Sequence, residues 1–359
     1  MYVILFRRPS GTADVRKTRR IGRRQFPQGN ETSAGTDGLT AGMNTEEEPS
    51  LICGNILDAI GNTPVVRLNR MAEEGSAEIL VKVESLNVGG SIKTRTALNM
   101  IDQAEKEGLI GPDSIIVEPT SGNQGIGLAL VGAVRGYRTI IIMPDSVSEE
   151  RRKLVRHYGA EVKLIHDAGD IGKCMEECLN AALTMKQKNP KVFVPQQFDN
   201  PNNTLAHKKH TALEIMAQVA KPIHGFCSGI GTGGTLTGIG EVLKAQYPDI
   251  EIWAVEPENA AILAGGTIGT HLQMGIGDGI IPDILNREIY DDIYVVTDQE
   301  AIETARRLAR EEGLACGISG GTNVAAALRL ARKLGPGKTV VTVLPDTAER
   351  YYSTQLFGE

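Results

Sequence analysis

The sequence has no long hydrophobic run, no excess of positive charge and few cysteines, and each absence argues against a class of protein. Its longest apolar stretches, such as TIIIM at 139–143 and TVVTVL at 339–344, are far shorter than the ~18 residues of a membrane span. A formal charge of -6 argues against nucleic acid as the main partner. Five cysteines, an odd number in 359 residues, favour a reducing compartment over a disulfide framework. We therefore predict a cytoplasmic protein with neither membrane nor nucleic-acid partners.

The first fifty residues differ in composition from the rest of the chain. Residues 1–30 contain eight lysines or arginines and one acidic residue, Asp14, and GNETSAGTDGLTAG follows. Such a segment cannot build a core, so residues 1–49 are predicted to be a disordered tail. It is basic and poor in acids, which also fits organelle import through residues 1–42. The favoured interpretation is a non-native extension, with translation starting at Met43 in MNTEEEPSL.

From Ile56 onward, short runs rich in β-branched residues alternate with helical stretches. ILVKV, SIIVE and TIIIM have strand character, and TALNMIDQAEKEG and QGIGLALVGAVRG lie between them with helical length. A second series follows after Lys221, and the chain exceeds the ~250–300 residues at which single cores stop growing. The pattern predicts an α/β protein, with two α/β domains of mostly parallel twisted sheets covered by helices. Ligands of such folds bind beyond the carboxyl ends of the strands.

Four polar or glycine-rich stretches follow predicted strands. NVGGSIKTRTALNMI places Lys93 at the start of a helix, and LPDT places Asp346 and Thr347 after the last strand. The other two stretches are EPTSGNQGIG at 118–127 and GIGTGGTLTG at 229–238. Each alone has a plain structural explanation, as a surface lysine, a helix cap or a tight turn.

Together the four stretches indicate a cofactor site. Hydroxyl, amide and backbone N–H groups at the start of a helix suit a carboxylate, which points to 120–124. The glycines of 229–238 let successive N–H groups face one phosphate, and its threonines add hydroxyl donors. This loop matches neither the dinucleotide fingerprint nor the P-loop. A lysine facing a bound phosphate-bearing cofactor is what a pyridoxal phosphate Schiff base requires.

The ordered motifs of the chain resemble those of cysteine synthase (O-acetylserine sulfhydrylase), within the cysteine synthase and cystathionine β-synthase family. The motifs are IGNTPVVRLNR, KVESLNVGGSIKTR, EPTSGNQGIGLAL, PQQFDNPNN, GTGGTLTG, QMGIGDGIIP, GISGG and LPDTAERYYST, and they extend from Ile56 to the C-terminus. The resemblance implies fold type II (tryptophan synthase β-like) and the cofactor pyridoxal 5'-phosphate. It further implies a smaller mobile α/β domain over 87–204 with the substrate carboxylate loop. Residues 50–86 with 205–359 would form the larger α/β domain with the phosphate loop.

The same resemblance implies roles for individual residues. Lys93 would form the Schiff base and act as the catalytic acid and base, Asn123 would hydrogen-bond the cofactor ring oxygen, and Thr347 would meet the ring nitrogen. The implied phosphate loop consists of Gly231, Thr232, Gly233, Gly234 and Thr235. The implied substrate site consists of Thr120, Ser121, Gly122, Asn123, Gln124, Gln197 and Gly277.

The implied reaction is a β-replacement catalysed by a transferase. A neutral hydroxyl at the ring nitrogen favours loss of a β-leaving group, whereas an aspartate there would favour transamination, so Asp346 in place of Thr347 would weaken this interpretation. O-acetyl-L-serine would lose acetate to give a bound aminoacrylate, and sulfide or a thiol would then add to form L-cysteine or an analogue. If Asp278 faces the site, its charge favours O-acetylserine over O-phosphoserine.

Four further positions depart from the family pattern: Val88, Thr94, Gln124 and Gly320. Among them Gln124, in place of a threonine, is expected to enlarge or re-aim the carboxylate site.

Several alternatives stay open. They are a cystathionine β-synthase using serine and homocysteine, another β-substituted alanine synthase, a serine/threonine dehydratase and a non-catalytic regulatory homologue. The resemblance also implies a homodimer, with serine acetyltransferase as a further candidate partner. No metal site is predicted: Cys174 and Cys178 are helix neighbours without further ligands nearby, and His207 and His210 in HKKH are expected to lie on a solvated helix face.

Overall fold

The computed structural model describes residues 52–169 and 171–358. The predicted tail at 1–49 and the proposed start at Met43 lie outside these residues. The strands are β1 (Val65–Arg67), β2 (Glu78–Val83), β3 (Ile115–Pro119), β4 (Arg138–Pro144), β5 (Glu161–Ile165), β6 (Val192–Phe193), β7 (Gly225–Gly229), β8 (Glu251–Pro257), β9 (Asp292–Val296) and β10 (Thr339–Leu344). The helices are α1 (Lys93–Lys106), α2 (Asn123–Arg135), α3 (Glu149–His157), α4 (Ile171–Lys188), α5 (Pro201–Ala206), α6 (Ala212–Val219), α7 (Gly234–Gln246), α8 (Asp298–Arg307) and α9 (Ile318–Leu334).

Within the described residues the strands form two sheets. The larger has the order β1-β2-β10-β7-β8-β9, and the smaller has the order β5-β4-β3-β6. Every pairing is parallel except that between β1 and β2. The prediction of α/β architecture with two mostly parallel sheets is confirmed.

The central strands are buried on both faces, as parallel strands between helices must be. All six residues of β10 are buried, and β2 and β7 flank it in the sheet. Because both faces of β10 are buried, its sequence TVVTVL does not alternate between apolar and charged residues, as a strand with one solvent-exposed face would. The smaller sheet takes all of its strands from residues 115–193, inside the segment 87–204 that is predicted to be the mobile domain. None of the helices in the described part of the chain could cross a membrane.

The short elements gave little sequence signal. β1 and β6 have three and two residues, too few for a strand period, and α5 leads through a π-helical turn at His207–Thr211 into α6. In contrast, RTIIIMP coincides with β4.

A buried network of charges holds the first turn of α1 against the larger sheet. Arg95 donates to both carboxylate oxygens of Glu84 at 2.9 Å and to those of Glu214 at 2.6 and 2.7 Å. The Lys82 amine lies 2.7 Å from Glu214 as well. The two positive and two negative charges balance, which burial requires.

Replacing Glu214 by glutamine would test this network through its pH dependence. Burial raises the pKa of the Glu214 carboxyl, but hydrogen bonds from Arg95 and Lys82 outweigh burial and lower it from 4.5 to about 2. A carboxylate with a depressed pKa stabilises the fold above its unfolded value and loses that contribution as the pH falls through the folded value. We expect wild type to exceed Glu214→Gln in free energy of unfolding by about 3 kcal/mol at about pH 6.

This difference should shrink steadily between about pH 5 and about pH 3 in urea denaturation experiments. A difference that stays constant over that interval would show that Glu214 is not held ionised by its partners.

Candidate active site

Lys93 is the first residue of α1, and the turn before it is bonded to the end of β10. The main-chain N–H of Ile92 donates to the carbonyl of Pro345 at 2.8 Å, and Ser91 pairs with Asp346 in an isolated β-bridge. β2 and β10 are parallel neighbours, so their carboxyl ends lie at one edge of the larger sheet. Helix α1 therefore begins at the edge where ligands of such folds bind.

The amine of Lys93 faces a pocket at this edge. Its Nζ lies 3.5 Å from Oγ1 of Thr232. Burial lowers the pKa of the Lys93 amine below its usual value, while the negative charge of Asp278 acts in the opposite direction. Burial also raises the pKa of the Asp278 carboxyl, against the opposing positive charge of Lys93. A lysine with a lowered pKa is more often neutral, and only the neutral amine is a nucleophile or a base.

Asn123 is the first residue of α2, which packs closely on α1. Gly127 permits this approach, because a Cβ at that position would lie 3.0 Å from the carbonyl oxygen of Lys93. The Asn123 amide has two fixed partners: Nδ2 donates to Oδ2 of Asp346 at 2.7 Å, and Oδ1 accepts from Arg350. The orientation of the Asn123 side chain is therefore set by residues from the far end of the chain.

The loop between β7 and α7 forms another wall of the pocket. Lys93, Asn123 and four of the five predicted phosphate residues line about 500 Å³ of space free of protein atoms, part of it open to solvent. The loop residues on the wall are Gly231, Thr232, Gly233 and Thr235. The fifth, Gly234, does not line the pocket.

Backbone geometry and packing require glycine at two positions of this loop. Gly233 has a φ of 75°, in the left-handed region, and a Cβ at Gly231 would lie 2.6 Å from the carbonyl oxygen of Gly275. The first N–H groups of α7 have no intrahelical partner, and the helix dipole favours an anion there. Backbone donors and two threonine hydroxyls form a donor set suited to a phosphate.

His207 lies behind this loop. It is fully buried, so the prediction of a solvated histidine pair was wrong for it, whereas His210 is exposed. Its Nδ1 is 3.0 Å from Oγ1 of Thr211, and its Nε2 is 3.4 Å from Oγ1 of Thr235. Burial, and then the positive charge of Lys93, lower the pKa of His207 well below 6.5. The imidazole is therefore neutral at neutral pH and adds no charge to the loop.

All of the predicted substrate residues except Gly277 lie on two neighbouring segments. Residues 120–122 connect β3 with α2, and Gln197 lies beyond the end of β6, which pairs with β3. The side chain of Gln124 is buried, and its Oε1 accepts a hydrogen bond of 2.7 Å from Thr96 on α1. The amide of Gln124 therefore joins two helices. Neither Gly277 nor Thr347 is on the pocket wall, although Ile276 and Pro345, which lie one and two positions away in the chain, are.

Two departures from the family pattern contact each other. The hydroxyl of Thr94 donates to the carbonyl of Val88 at 2.7 Å, within the turn that precedes α1. At a third departure, Gly320, a Cβ would lie 2.7 Å from Sγ of Cys316.

Comparison with known proteins gives the family. A sequence profile described as "Pyridoxal-phosphate dependent enzyme" matches residues 56–346. The chain belongs to the pyridoxal-phosphate dependent enzyme family. A cysteine synthase of Staphylococcus aureus is 48% identical over 305 residues, which cover 85% of this chain and 97% of that protein.

Solved structures of the family show the same fold. The O-ureido-L-serine synthase structure matches with a TM-score of 0.81 and 45% identity, covering 85% of this chain and 95% of the other. The O-acetylserine dependent cystathionine β-synthase of Helicobacter pylori matches with a TM-score of 0.81 and 34% identity, covering 86% of this chain and 100% of the other. The fold-type-II architecture predicted from the motifs is therefore confirmed.

This pyridoxal-phosphate dependent enzyme uses pyridoxal 5'-phosphate, and its pocket fits that cofactor. The fit rests on the chemistry of the donor set: a buried amine at one wall and a glycine-rich loop at a helix N-terminus on the other. Lys93 would hold the cofactor aldehyde, and the loop from Gly231 to Thr235 would hold its phosphate. The residues described by the structure contain no group of three or more side chains suited to a metal ion.

Sequence reasoning missed two buried asparagines that contact residues of this pocket. Asn323 accepts from the N–H of Gly229 at 2.7 Å and donates to the carbonyl of Val343 at 2.8 Å, which ties the ends of β7 and β10 together. Asn203 donates to Oγ1 of Thr232 at 2.9 Å. An asparagine within the apolar helix sequence NVAAAL was a signal that could have identified Asn323, whereas Asn203 lies in a polar stretch and gave none.

Proposed function

We propose that this enzyme forms L-cysteine from O-acetyl-L-serine and sulfide by β-replacement. The observation that carries the proposal is the position of Lys93, whose buried amine faces the phosphate-type loop and shares a pocket with Asn123. Asn123 directly follows the loop that is predicted to hold the substrate carboxylate. The Staphylococcus aureus relative named cysteine synthase supports cysteine as the product.

The residues of the chain account for the proton transfers of this reaction. Bound pyridoxal phosphate supplies an electron sink for the amino acid. Lys93 Nζ would take the proton from Cα, and acetate would leave Cβ with the bonding electron pair. Sulfide then forms the new S–Cβ bond, and Lys93 returns a proton to Cα. The lowered pKa of Lys93 suits this role, because a base must be unprotonated before it can accept a proton.

The surroundings of Asp346 support Thr347 as the partner of the ring nitrogen. Oδ2 of Asp346 accepts from Asn123 and from the hydroxyl of Tyr351, each at 2.7 Å. Its Oδ1 lies against Gly317, where an added Cβ would approach to 2.1 Å. One carboxylate oxygen is thus already engaged, and the other is buried against Gly317 without a hydrogen-bond partner. Thr347 then supplies a neutral hydroxyl, which favours loss of a β-leaving group over transamination.

The proposal would be tested with purified enzyme loaded with cofactor. O-acetylserine is expected to change the visible absorbance of the bound cofactor, and sulfide should restore it with stoichiometric formation of cysteine. Serine with homocysteine, and O-phosphoserine with sulfide, are assayed in parallel. Turnover of serine with homocysteine alone would replace the proposal by a cystathionine β-synthase, and turnover of neither pair would overturn it.

Asp278 is expected to discriminate against a phosphorylated donor. Its carboxylate lies 3.6 Å from the Cβ position of Gly231, and it acts on the charge of Lys93. Asp278→Asn removes the charge and keeps the size, so kcat/KM for O-phosphoserine should rise roughly tenfold relative to that for O-acetylserine, about 1.4 kcal/mol. Asp283→Asn, an exposed acid of the same segment, is the control and should leave the ratio unchanged. An unchanged ratio in Asp278→Asn would show that this carboxylate does not face the donor.

A second candidate nucleophile is a thiol such as homocysteine. The Helicobacter pylori neighbour is an O-acetylserine dependent cystathionine β-synthase, so the same donor is compatible with a larger nucleophile in this fold. Titration with homocysteine in place of sulfide separates the two nucleophiles.

We further propose a cytoplasmic homodimer, a mobile domain over 87–204, and serine acetyltransferase as a partner of the active-site cleft. Sedimentation of the enzyme alone and with that partner would test both associations.

A further inference from the structure

We propose that Asn203 is a positioning residue that orients the Thr232 hydroxyl as a donor to the cofactor phosphate and ties the phosphate loop to the substrate turn. The substrate turn is defined here as Gln196–Gln197. This inference rests on the cofactor of the family and on the predicted phosphate loop. It does not depend on the donor or the nucleophile proposed above.

The Asn203 amide nitrogen contacts both segments at once. Asn203 lies on α5 and is fully buried. Its Nδ2 donates to the carbonyl oxygen of Gln197 at 2.9 Å and to Oγ1 of Thr232 at 2.9 Å. A side-chain amide nitrogen has two hydrogens, and both are used.

The partner Gln197 fixes which end of the amide faces Thr232. A main-chain carbonyl oxygen only accepts hydrogen bonds, so it must meet the nitrogen of Asn203 and not its oxygen. The same nitrogen faces Thr232, whose Oγ1 therefore accepts. A weaker contact to this oxygen, from the main-chain N–H of Gly234 at 3.4 Å, also comes from a donor. The single hydrogen of the Thr232 hydroxyl is thus left to donate to an acceptor in the pocket, and a phosphate offers only acceptors at neutral pH.

The amide oxygen of Asn203 shows that the surroundings impose this orientation of the side chain. Its Oδ1 is buried without a hydrogen-bond partner and lies against Gly234, where an added Cβ would approach to 2.2 Å. An unsatisfied buried acceptor destabilises a fold, and the structure retains it to keep the nitrogen at Gln197 and Thr232. The position of Asn203 Oδ1 also explains why the phosphate loop needs glycine at 234.

Glu118 holds the substrate turn from the opposite side. Its two carboxylate oxygens accept the main-chain N–H groups of Gln196 and Gln197, each at 2.9 Å. Gln196 has a φ of 57°, a conformation that a residue with a side chain adopts only when its surroundings fix it. Glu118 belongs to β3, directly before the loop at 120–122. A continuous chain of hydrogen bonds, Glu118 to Gln197 to Asn203 to Thr232, therefore joins the strand that leads into the carboxylate loop with the phosphate loop.

Asn203→Ala would test the proposal through cofactor binding. We expect the dissociation constant of pyridoxal phosphate from the apoenzyme to rise roughly 10- to 100-fold, the effect of one hydrogen bond to a charged group. The ³¹P resonance of the bound phosphate should also shift. Asn202→Ala, on the same helix and half-buried, is the matched control and should change neither. An Asn203→Ala enzyme that matches this control in both measurements would overturn the proposal.

A double-mutant cycle with Thr232→Val distinguishes positioning from a general loss of structure. If Asn203 acts through the Thr232 hydroxyl, adding Asn203→Ala to Thr232→Val should cause little further loss of cofactor affinity. Losses that multiply would show that Asn203 acts independently of Thr232 and would refute the inference. Asn203→Asp, which keeps the shape but presents no donor, should weaken cofactor binding at least as much as Asn203→Ala. If a folded Asn203→Asp enzyme bound the cofactor as tightly as wild type, the inference would also be refuted.

Discussion

Lys93→Ala is expected to lower kcat for cysteine formation by at least about 10³-fold. The substitution removes the amine that would hold the cofactor covalently and that would carry the proton to and from Cα. Acid–base catalysis by a positioned group alone contributes ~10²–10⁴-fold. The Lys93 amine suits both tasks, because it is buried, has a lowered pKa and lies 3.5 Å from the Thr232 hydroxyl of the phosphate loop. Single-turnover kinetics with saturating cofactor, alongside the visible absorbance of the bound cofactor, would measure the effect.

Lys106→Ala is the matched control for this experiment. It removes an exposed lysine from the last turn of the same helix and should leave kcat and absorbance unchanged. A Lys93→Ala enzyme whose cofactor remains covalently bound and active would assign the Schiff base to a different lysine. The predicted role of Lys93 would then be wrong.

Arg95→Met is expected to lower the free energy of unfolding by about 3–5 kcal/mol. Arg95 is 4% exposed and donates to both carboxylates of Glu84 and Glu214, so its removal leaves two buried negative charges with only Lys82 to balance them. Breaking a buried ion pair costs this much because the remaining charge loses its compensation in a medium of low dielectric. Urea denaturation with saturating cofactor would measure the loss.

Arg135→Met provides the comparison for an exposed pair. Arg135 contacts Asp102 at 2.8 Å and Glu105 at 3.1 Å, but about 39% of its side chain is exposed. Surface ion pairs contribute ~0–1 kcal/mol, so Arg135→Met should change stability by less than about 1 kcal/mol. If the two variants lost the same amount, burial of the Arg95 network would not be the source of its stability.

The positions of the strands and of the polar and glycine-rich loops could be predicted from the sequence because they depend on neighbours in the chain. RTIIIMP coincides with β4, and the glycine-rich stretch at 229–238 begins where β7 ends. Lys93 opens a helix beside the end of β10, as its place after a glycine pair predicted. The hydrophobic period, the turn residues and the residues that start helices are local signals in the sequence. Parallel strands then bring the ends of distant segments to the same edge of a sheet.

The partners of the site residues could not be predicted, because they come from distant parts of the chain. Asn123 and Asp346 are 223 positions apart, and no sequence period relates them. The burial of His207 behind the phosphate loop, the contact of Gln124 with Thr96, and the unsatisfied oxygen of Asn203 likewise depend on how helices pack.

The sequence by itself thus determined the α/β class, the strand ends and the residue types that are predicted to bind a phosphate-bearing cofactor. Only the tertiary structure decided which hydrogen-bond donor meets which acceptor, because the orientation of a buried amide or carboxylate is set by the polar groups that packing places around it.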